Sequence, residues 1–554
     1  MALPLPPAPL HDLGVAPVPG AEPPARRQRG ARRPVPPVTA ALALAVAAVA
    51  VLPLGYLVVR AREVGLEGAA DLVVTRRTLD LLLRSLGLAA AVTATAVVIG
   101  VPVGWLTSRA ALPGRRIFTV LTALPLAVPS YVAALAVLAM FGPRGTLARW
   151  LGPLGVNELP EVYGFTGAWL ALSLSTFPYV TLTVRGALRR LDPALEEISR
   201  SLGMGPVQTF RRVTLPQLWP AIAAGGLLTA LYTFADFGTP SLMRYDTFTR
   251  VIYVQYKGSL DRSGAAVLAL LLAAVALAVV AVEAAIRSRS RGARSGAGSA
   301  RVARQARPVP LGRGRAPAVA GLAAVVVLAL VLPLATLVQW LVTGTRQGID
   351  MAETLRAAGH SAQAAGLGAL VAVAAAWPVA VLGARHRGAL SRWTERASYA
   401  GYALPGIVVA LALVFFGARV ASPLYQTVGM LVLAYLVLFL PQGVGALRST
   451  LAQVSPRLEE ASRSLGASRL RTTWQVLLPL VRPGAAAAFA LVFLTAMKEL
   501  PAALLLGPTG WDTLATRVWA STSEGFFARA AAPALVLVAV SSIPLTFLAL
   551  RRDR

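Results

Sequence analysis

The 554-residue sequence has no cysteine, three histidines and two lysines, and only 14% of its residues are charged. Each scarcity removes a class of function. Without cysteine there are no disulfides, thiolate metal sites or cysteine nucleophiles. His11, His360 and His386 are too few and too scattered for a histidine metal cluster, or for the buried catalytic cluster of an intramembrane hydrolase. A phosphate-binding loop needs a lysine in the frame G-x-x-x-x-G-K-[ST]. Lys257 (Tyr-Lys-Gly) and Lys498 (Met-Lys-Glu) both lie outside it, so the chain carries no recognisable ATP site. No catalytic centre suggests itself, and nothing calls for a cofactor. A soluble protein carries about 25% charged residues, so the composition argues against a soluble enzyme and against a disordered chain.

What is present instead is apolar sequence. Hydrophobic residues make up 56% of the chain, and about 20 consecutive apolar residues suffice to cross a bilayer. The expected fold is an all-α membrane protein with about 12 transmembrane helices. The first six spans are expected near 39–59, 82–106, 118–141, 165–186, 218–240 and 264–286. The second six fall near 317–342, 361–384, 398–418, 427–447, 481–506 and 529–550. Residues 1–37 hold 11 prolines and end in an arginine cluster, the composition of a disordered tail. Residues 287–316 hold nine arginines and no acid, which reads as a solvated linker. The chain thus divides into a tail (1–37), a first repeat (38–286), a linker (287–316) and a second repeat (317–554).

The charge is one-sided: 53 basic residues against 24 acidic, a formal net charge of +29. In a soluble protein that would suggest nucleic acid as partner. Here the arginines orient helices. With the N-terminal tail in the cytoplasm, 36 of the 53 basic residues fall in the tail, linker, inward loops and C-terminus. The expectation is a multi-pass protein of the bacterial cytoplasmic (inner) membrane with both termini cytoplasmic. Its environment is the lipid bilayer, and nucleic acid is not a partner.

The chain is duplicated. Pro193–Pro220 aligns without a gap on Pro456–Pro483, and 14 of 28 positions are identical. Outside this block Ser85 and Pro102 correspond to Ser361 and Pro378, and Leu124-Pro125 is matched to Leu404-Pro405. Six spans per half is an even number, so the halves are parallel repeats about an axis along the membrane normal, with substrate crossing between them.

The duplicated block joins the fourth and fifth spans of each half. It reads as a short helix, a break at Gly203 or Gly466, a second helical stretch and a Leu-Pro stop. Leu195, Ile198 and Leu202 share one helical face, as do Leu458, Ala461 and Leu465. A lipid-lying helix would carry basic residues beside that face. Glu196-Glu197 and Glu459-Glu460 argue instead for a protein partner with basic groups, into whose groove the helix docks.

This block resembles the EAA loop of ABC importer permeases, E-A-A-x3-G-x9-I-x-L-P. The first copy runs Glu197-Ile-Ser-x3-Gly203-x9-Val213-x-Leu215-Pro216 and the second Glu460-Ala-Ser-x3-Gly466-x9-Val476-x-Leu478-Pro479. The spacing is kept in full, with Ile-Ser or Ala-Ser for Ala-Ala and Val for Ile. The resemblance implies a type I permease with both halves fused. Its ATP hydrolysis would belong to a separate dimer of ABC ATPase subunits, coupled through Glu196, Glu197, Gly203, Leu215, Pro216 and Glu459, Glu460, Gly466, Leu478, Pro479. The glycines would be bends, and the prolines would set where the fifth span begins.

Further along, Asp236 aligns with Glu499, each about two-thirds of the way through a span, with Lys498 beside the second. Ionisable groups at such depth face a cavity or the bundle interior. They could attract a cation or gate the outer mouth; local pairing or snorkelling to headgroup depth is the plainer alternative. Asp236-Phe-Gly-Thr-Pro240 and Gly510-Trp-Asp-Thr-Leu-Ala-Thr-Arg517 are similar to segments of fused iron(III) permeases. That resemblance implies import of ferric ion handed over by a periplasmic or extracellular substrate-binding protein, with no tight metal site in the permease itself. Thiamine and phosphonate permeases share the fused plan. An ion-coupled secondary transporter would share the two halves but not the paired loops.

Overall fold

The computed structural model describes residues 35–142, 161–258, 262–292, 308–345, 350–386 and 388–551, together with a few positions between 145 and 155. Most of the expected tail, and 293–307 of the expected linker, lie outside the described residues. The described chain is helical. Nine helices are long and apolar enough to cross a membrane, two further spans are helix pairs sharply bent at a break, and Phe527–Arg551 stands in the twelfth position.

In the first half the elements are α1 (Pro37–Glu63), α2 (Gly65–Val73), α3 (Arg76–Arg109), α4 (Arg115–Leu121), α5 (Ser130–Phe141), α6 (Phe165–Leu188), α7 (Ala194–Ser201), α8 (Pro206–Ala235), α9 (Gly238–Leu242), α10 (Phe248–Gly258) and α11 (Ser263–Gly292). The second half repeats the plan with α12 (Gly312–Val342), α13 (Met351–Arg385), α14 (Ala389–Ala403), α15 (Gly406–Arg419), α16 (Val428–Gln453), α17 (Pro456–Ser464), α18 (Arg469–Met497), α19 (Pro501–Leu506), α20 (Leu514–Ser523) and α21 (Phe527–Arg551).

The third span of each half is not the straight helix expected over 118–141 and 398–418. It turns through 99° before α5 and through 98° before α15. Val128 and Leu404 are extended, at ψ 120° and 128°, because the residue before a proline is pushed out of the helical region. The structural counterparts are therefore Val128-Pro129 and Leu404-Pro405. The sequence match of Leu124-Pro125 to Leu404-Pro405 is out by one turn.

The fifth span also differs at both ends. Its helix starts well before Pro216 and Pro479 and runs through them, as α8 and α18. The prolines stop nothing. A π-helical turn, Phe210–Thr214 or Thr473–Leu477, immediately precedes each Leu-Pro. Widening that turn accommodates the proline ring and its missing N–H. The same device, Val327–Val331, precedes Pro333 in α12. At the far end α8 stops at Ala235 and α18 at Met497, so Asp236 and Glu499 lie at breaks rather than two-thirds of the way along a span.

Past each break two short helices follow, α9 and α10 or α19 and α20. Ser85 Oγ accepts the Phe248 amide at 3.1 Å and Ser361 Oγ the Leu514 amide at 2.8 Å. The Ser85/Ser361 correspondence thus reflects one task performed twice, holding the start of α10 and of α20.

Helix contacts inside each half rest on small residues, as bilayer packing requires. Gly100 and Gly104 of α3 meet α6 so closely that a Cβ at Gly100 would sit 2.8 Å from Val180 Cβ. The halves are interlocked by their first helices. α1 packs on α11 of its own half and on α13, α14 and α15 of the other; α12 packs on α21 and on α5 of the first half. Arg419 pairs with Glu63 at 2.7 Å across this junction, where Arg60 also lies over the Phe415 ring.

Candidate functional site: the paired loops and the carboxylates at the fifth-span breaks

Each duplicated block folds as a short helix, a left-handed turn and a return helix. Gly203 and Gly466 take φ +82° and +85°, a region nearly closed to residues with a Cβ. These are the bends the sequence marks. The turn doubles the chain back so that identical side chains of the two repeats meet. Ser199 and Thr209 hydroxyls lie 3.0 Å apart in the first loop, and Ser462 and Thr472 lie 3.1 Å apart in the second.

The two glutamates of each pair have different surroundings. Glu196 is buried and faces its own loop, where Thr214 Oγ1 donates to Oε1 at 3.0 Å and Arg200 lies 3.4 Å from Oε2. Glu459 faces the scaffold, 2.7 Å from Arg385 Nε at the end of α13. Both hold the loop's shape. Glu197 and Glu460 are exposed.

Sequence reasoning missed the anchors. Arg109 and Arg385 end α3 and α13, the first buried and the second partly buried, and each reaches the start of its loop. Arg109 donates to Leu188 O at 3.0 Å and Leu191 O at 3.4 Å, and Arg385 to Val454 O at 3.0 Å. The signal was available: an arginine at the same place in both repeats.

With the inner side of each loop so occupied, the apolar face is left outward. Leu195, Ile198, Leu202 and Val207 are 48%, 55%, 73% and 68% exposed. In the second loop Leu458, Leu465 and Leu470 are 47%, 88% and 69% exposed. Leu215, Pro216, Leu478 and Pro479 lie in the helices behind, where they carry the loop into the fifth span. Each loop thus presents an exposed apolar patch with an exposed glutamate beside it, Glu197 or Glu460.

The carboxylates occupy the opposite end of the fifth spans. Asp236 accepts from Ser130, the first residue of α5, and from the Thr239 amide at 2.9 Å. Glu499 accepts from the Ala502 amide, three residues on in the same way, and its Oε1 rests against Gly406, the first residue of α15. Each carboxylate so joins the broken fifth span to the bent third span of its own half. Lys498 turns away from both and donates to Leu126 O of the first half at 2.9 Å. Beyond the breaks Phe237 packs on Trp519 with ring centres 5.1 Å apart, and Tyr253 meets the same ring at 6.2 Å, so aromatic contact crosses between the halves.

Known proteins match this arrangement. The family model described as binding-protein-dependent transport system inner membrane component matches twice, over residues 96–292 and 368–551. The Fe(3+)-transport system permease protein FbpB 2 of Haemophilus influenzae is 35% identical over 499 residues, 90% of this chain and 95% of that protein. A probable molybdenum ABC transporter permease protein of Haloferax volcanii is 32% identical over 45% of this chain and 91% of its own length. The sulfate transport system permease protein CysT of Salmonella typhimurium is 28% identical over 32% of this chain and 65% of its own length. A multi-pass chain, helical over its described residues and built twice on one plan, with each family match covering one loop-bearing half, belongs to the binding-protein-dependent transport system inner membrane components, the permease subunits of ABC importers.

Proposed function

We propose that the chain is the permease through which ferric ion enters the cytoplasm, delivered by an external binding protein and driven by a separate dimer of ABC ATPase subunits. The reading is carried by the 35% identity to an Fe(3+)-transport permease along 90% of the chain. The relatives named for sulfate and molybdenum match half of the chain or less. The carboxylates at the fifth-span breaks also suit a cation better than an oxyanion.

The ATPase dimer docks on the paired loops, one subunit on each apolar patch, with Glu197 and Glu460 addressing its basic groups. The loops then lie in the cytoplasm with both termini, as the arginine distribution requires. When the ATPase subunits close on ATP, each loop moves with its subunit. The return helix transmits that displacement without a joint, because α8 and α18 run unbroken from the loop to the carboxylates. The halves rock between two arrangements, each favoured by a different ligand state. Pro216 and Pro479 tune the helix without interrupting it.

The test is reconstitution of the chain with its ATPase and binding protein in vesicles. Radioactive iron should accumulate only with ATP, and thiamine, phosphonate, sulfate and molybdate should neither compete nor accumulate. Accumulation of any of these in place of iron overturns the substrate. Uptake that needs no ATPase overturns the mechanism.

A further inference from the structure

A lysine inside a membrane span faces the bundle interior and takes either a carboxylate or a backbone carbonyl as its partner. Lys498 follows the last residue of α18 and directly precedes Glu499. It makes no ion pair among the described residues. Its ammonium donates instead to Leu126 O at 2.9 Å, 372 positions away and in the other half. That oxygen is available for a local reason. Leu126 belongs to the single turn Leu124–Ala127 that closes the first limb of the bent third span. The backbone leaves that turn at Val128, and Pro129 has no N–H with which to continue the helical ladder. Bonding resumes beyond the bend, where the Ala133 amide donates to Pro129 O. Among the described residues no backbone amide donates to Leu126 O, and Lys498 fills the place. The first half does not return the contact, because the residue aligned with Lys498 is Ala235, which carries only a methyl group. Glu499, next along the chain, rests against Gly406 at the bend of its own half. Two successive residues at one break therefore hold both third-span bends, one in each half.

We propose that Lys498 is a positioning residue for transport: its bond to Leu126 O fixes the bend of the first half against the break of the second, and is released each time the halves rock. The inference rests on the two-arrangement reading above. A charged donor on a buried carbonyl shifts an equilibrium by roughly tenfold to a hundredfold, enough to hold the halves in the arrangement described here. The same bond is easily exchanged once the halves part. Water that reaches the break then solvates both the ammonium and the carbonyl, so neither is left buried without a partner. Lys498 thus adds a polar catch to the ring contacts of Phe237 and Tyr253 with Trp519, which cross the same boundary.

The experiment compares Lys498→Met, which keeps the length of the side chain and removes the donor, with Lys498→Arg, which keeps a charged N–H donor. In the reconstituted transporter, ATP hydrolysis without binding protein should rise about threefold to tenfold in Lys498→Met, and iron carried per ATP should fall by a similar factor. Lys498→Arg should stay within about threefold of wild type. A second measurement needs neither substrate nor ATPase. The chain has no cysteine, so spin labels attach only at Val254→Cys on α10 and Ala520→Cys on α20. Both positions are exposed, and each adjoins a ring of the Tyr253–Trp519 contact. In the purified full chain, the label distances of Lys498→Met should include a longer component, larger than in wild type or Lys498→Arg. Hydrolysis and iron per ATP within twofold of wild type in Lys498→Met overturn the assignment. So do identical distance distributions in the three chains, or an arginine variant no better than methionine. A wild-type transporter that works without its ATPase, or does not carry iron, is a different result, since it removes the import reading and leaves the distance measurement standing.

Discussion

Replacing Gly203 and Gly466 by alanine isolates the role of the left-handed turn. Both glycines have positive φ, and no atom lies within 4 Å of where a Cβ would stand. Steric crowding therefore contributes nothing, and the cost is that of the backbone alone, about 1–2 kcal/mol for a residue with a Cβ. That shifts the equilibrium between the docked loop shape and its alternatives by roughly fivefold to thirtyfold at each loop. If the ATPase recognises only that shape, its apparent Kd rises by up to the same factor. The two loops are separate segments, one in each half, so their effects should multiply when both are changed. The assay is binding of the purified ATPase to the purified permease, with iron uptake in parallel. Asparagine enters the left-handed region more readily, so Gly203→Asn and Gly466→Asn should recover most of the loss. The melting temperature should not move, because the loops lie outside the core. An alanine pair that binds within twofold of wild type refutes the argument, as does asparagine performing no better than alanine.

Four further outcomes follow from the same geometry. Changing Leu202 or Leu465 to serine should weaken ATPase binding by about tenfold each, since docking covers side chains 73% and 88% exposed in the free chain; pull-down and uptake measure it. Glu459→Ala leaves Arg385 partly buried without its partner, so the second loop should become about 2–3 kcal/mol easier to open. Limited proteolysis should then cut near 456–470 and spare the first loop. Gly100→Ala drives a Cβ to 2.9 Å from the Phe177 carbonyl, which cannot rotate away. It should cost about 1–3 kcal/mol and lower the thermal midpoint, whereas Gly186→Ala, with nothing within 4 Å, should leave the midpoint unchanged. Trp519→Ala removes the ring that Phe237 and Tyr253 share across the halves, so the pathway should leak small ions without ATP, read as loss of an imposed ion gradient across vesicles.

Membrane class, the twofold repeat and the position of both loops were legible in the residues alone. Each depends on a signal that survives translation into one dimension. Spans need length and apolarity, and the loop needs glycine at one fixed place. Repeat identity preserved the hydroxyls of Ser199/Thr209 and Ser462/Thr472 that close each loop on itself. Which residues face one another is set by packing and was not legible there. Glu196 and Glu197 are neighbours in the chain, yet one is buried against Thr214 and the other is exposed, because a helix turns about 100° per residue and the return helix covers a single side. The prolines before α5 and α15 could be seen, but not that each bend would bring Ser130 to Asp236 and Gly406 to Glu499. Likewise no local pattern says that α1 leaves its own half to lie against α14 and α15. Apolar helices in lipid have no hydration signal to direct their association, so close packing chooses the partner.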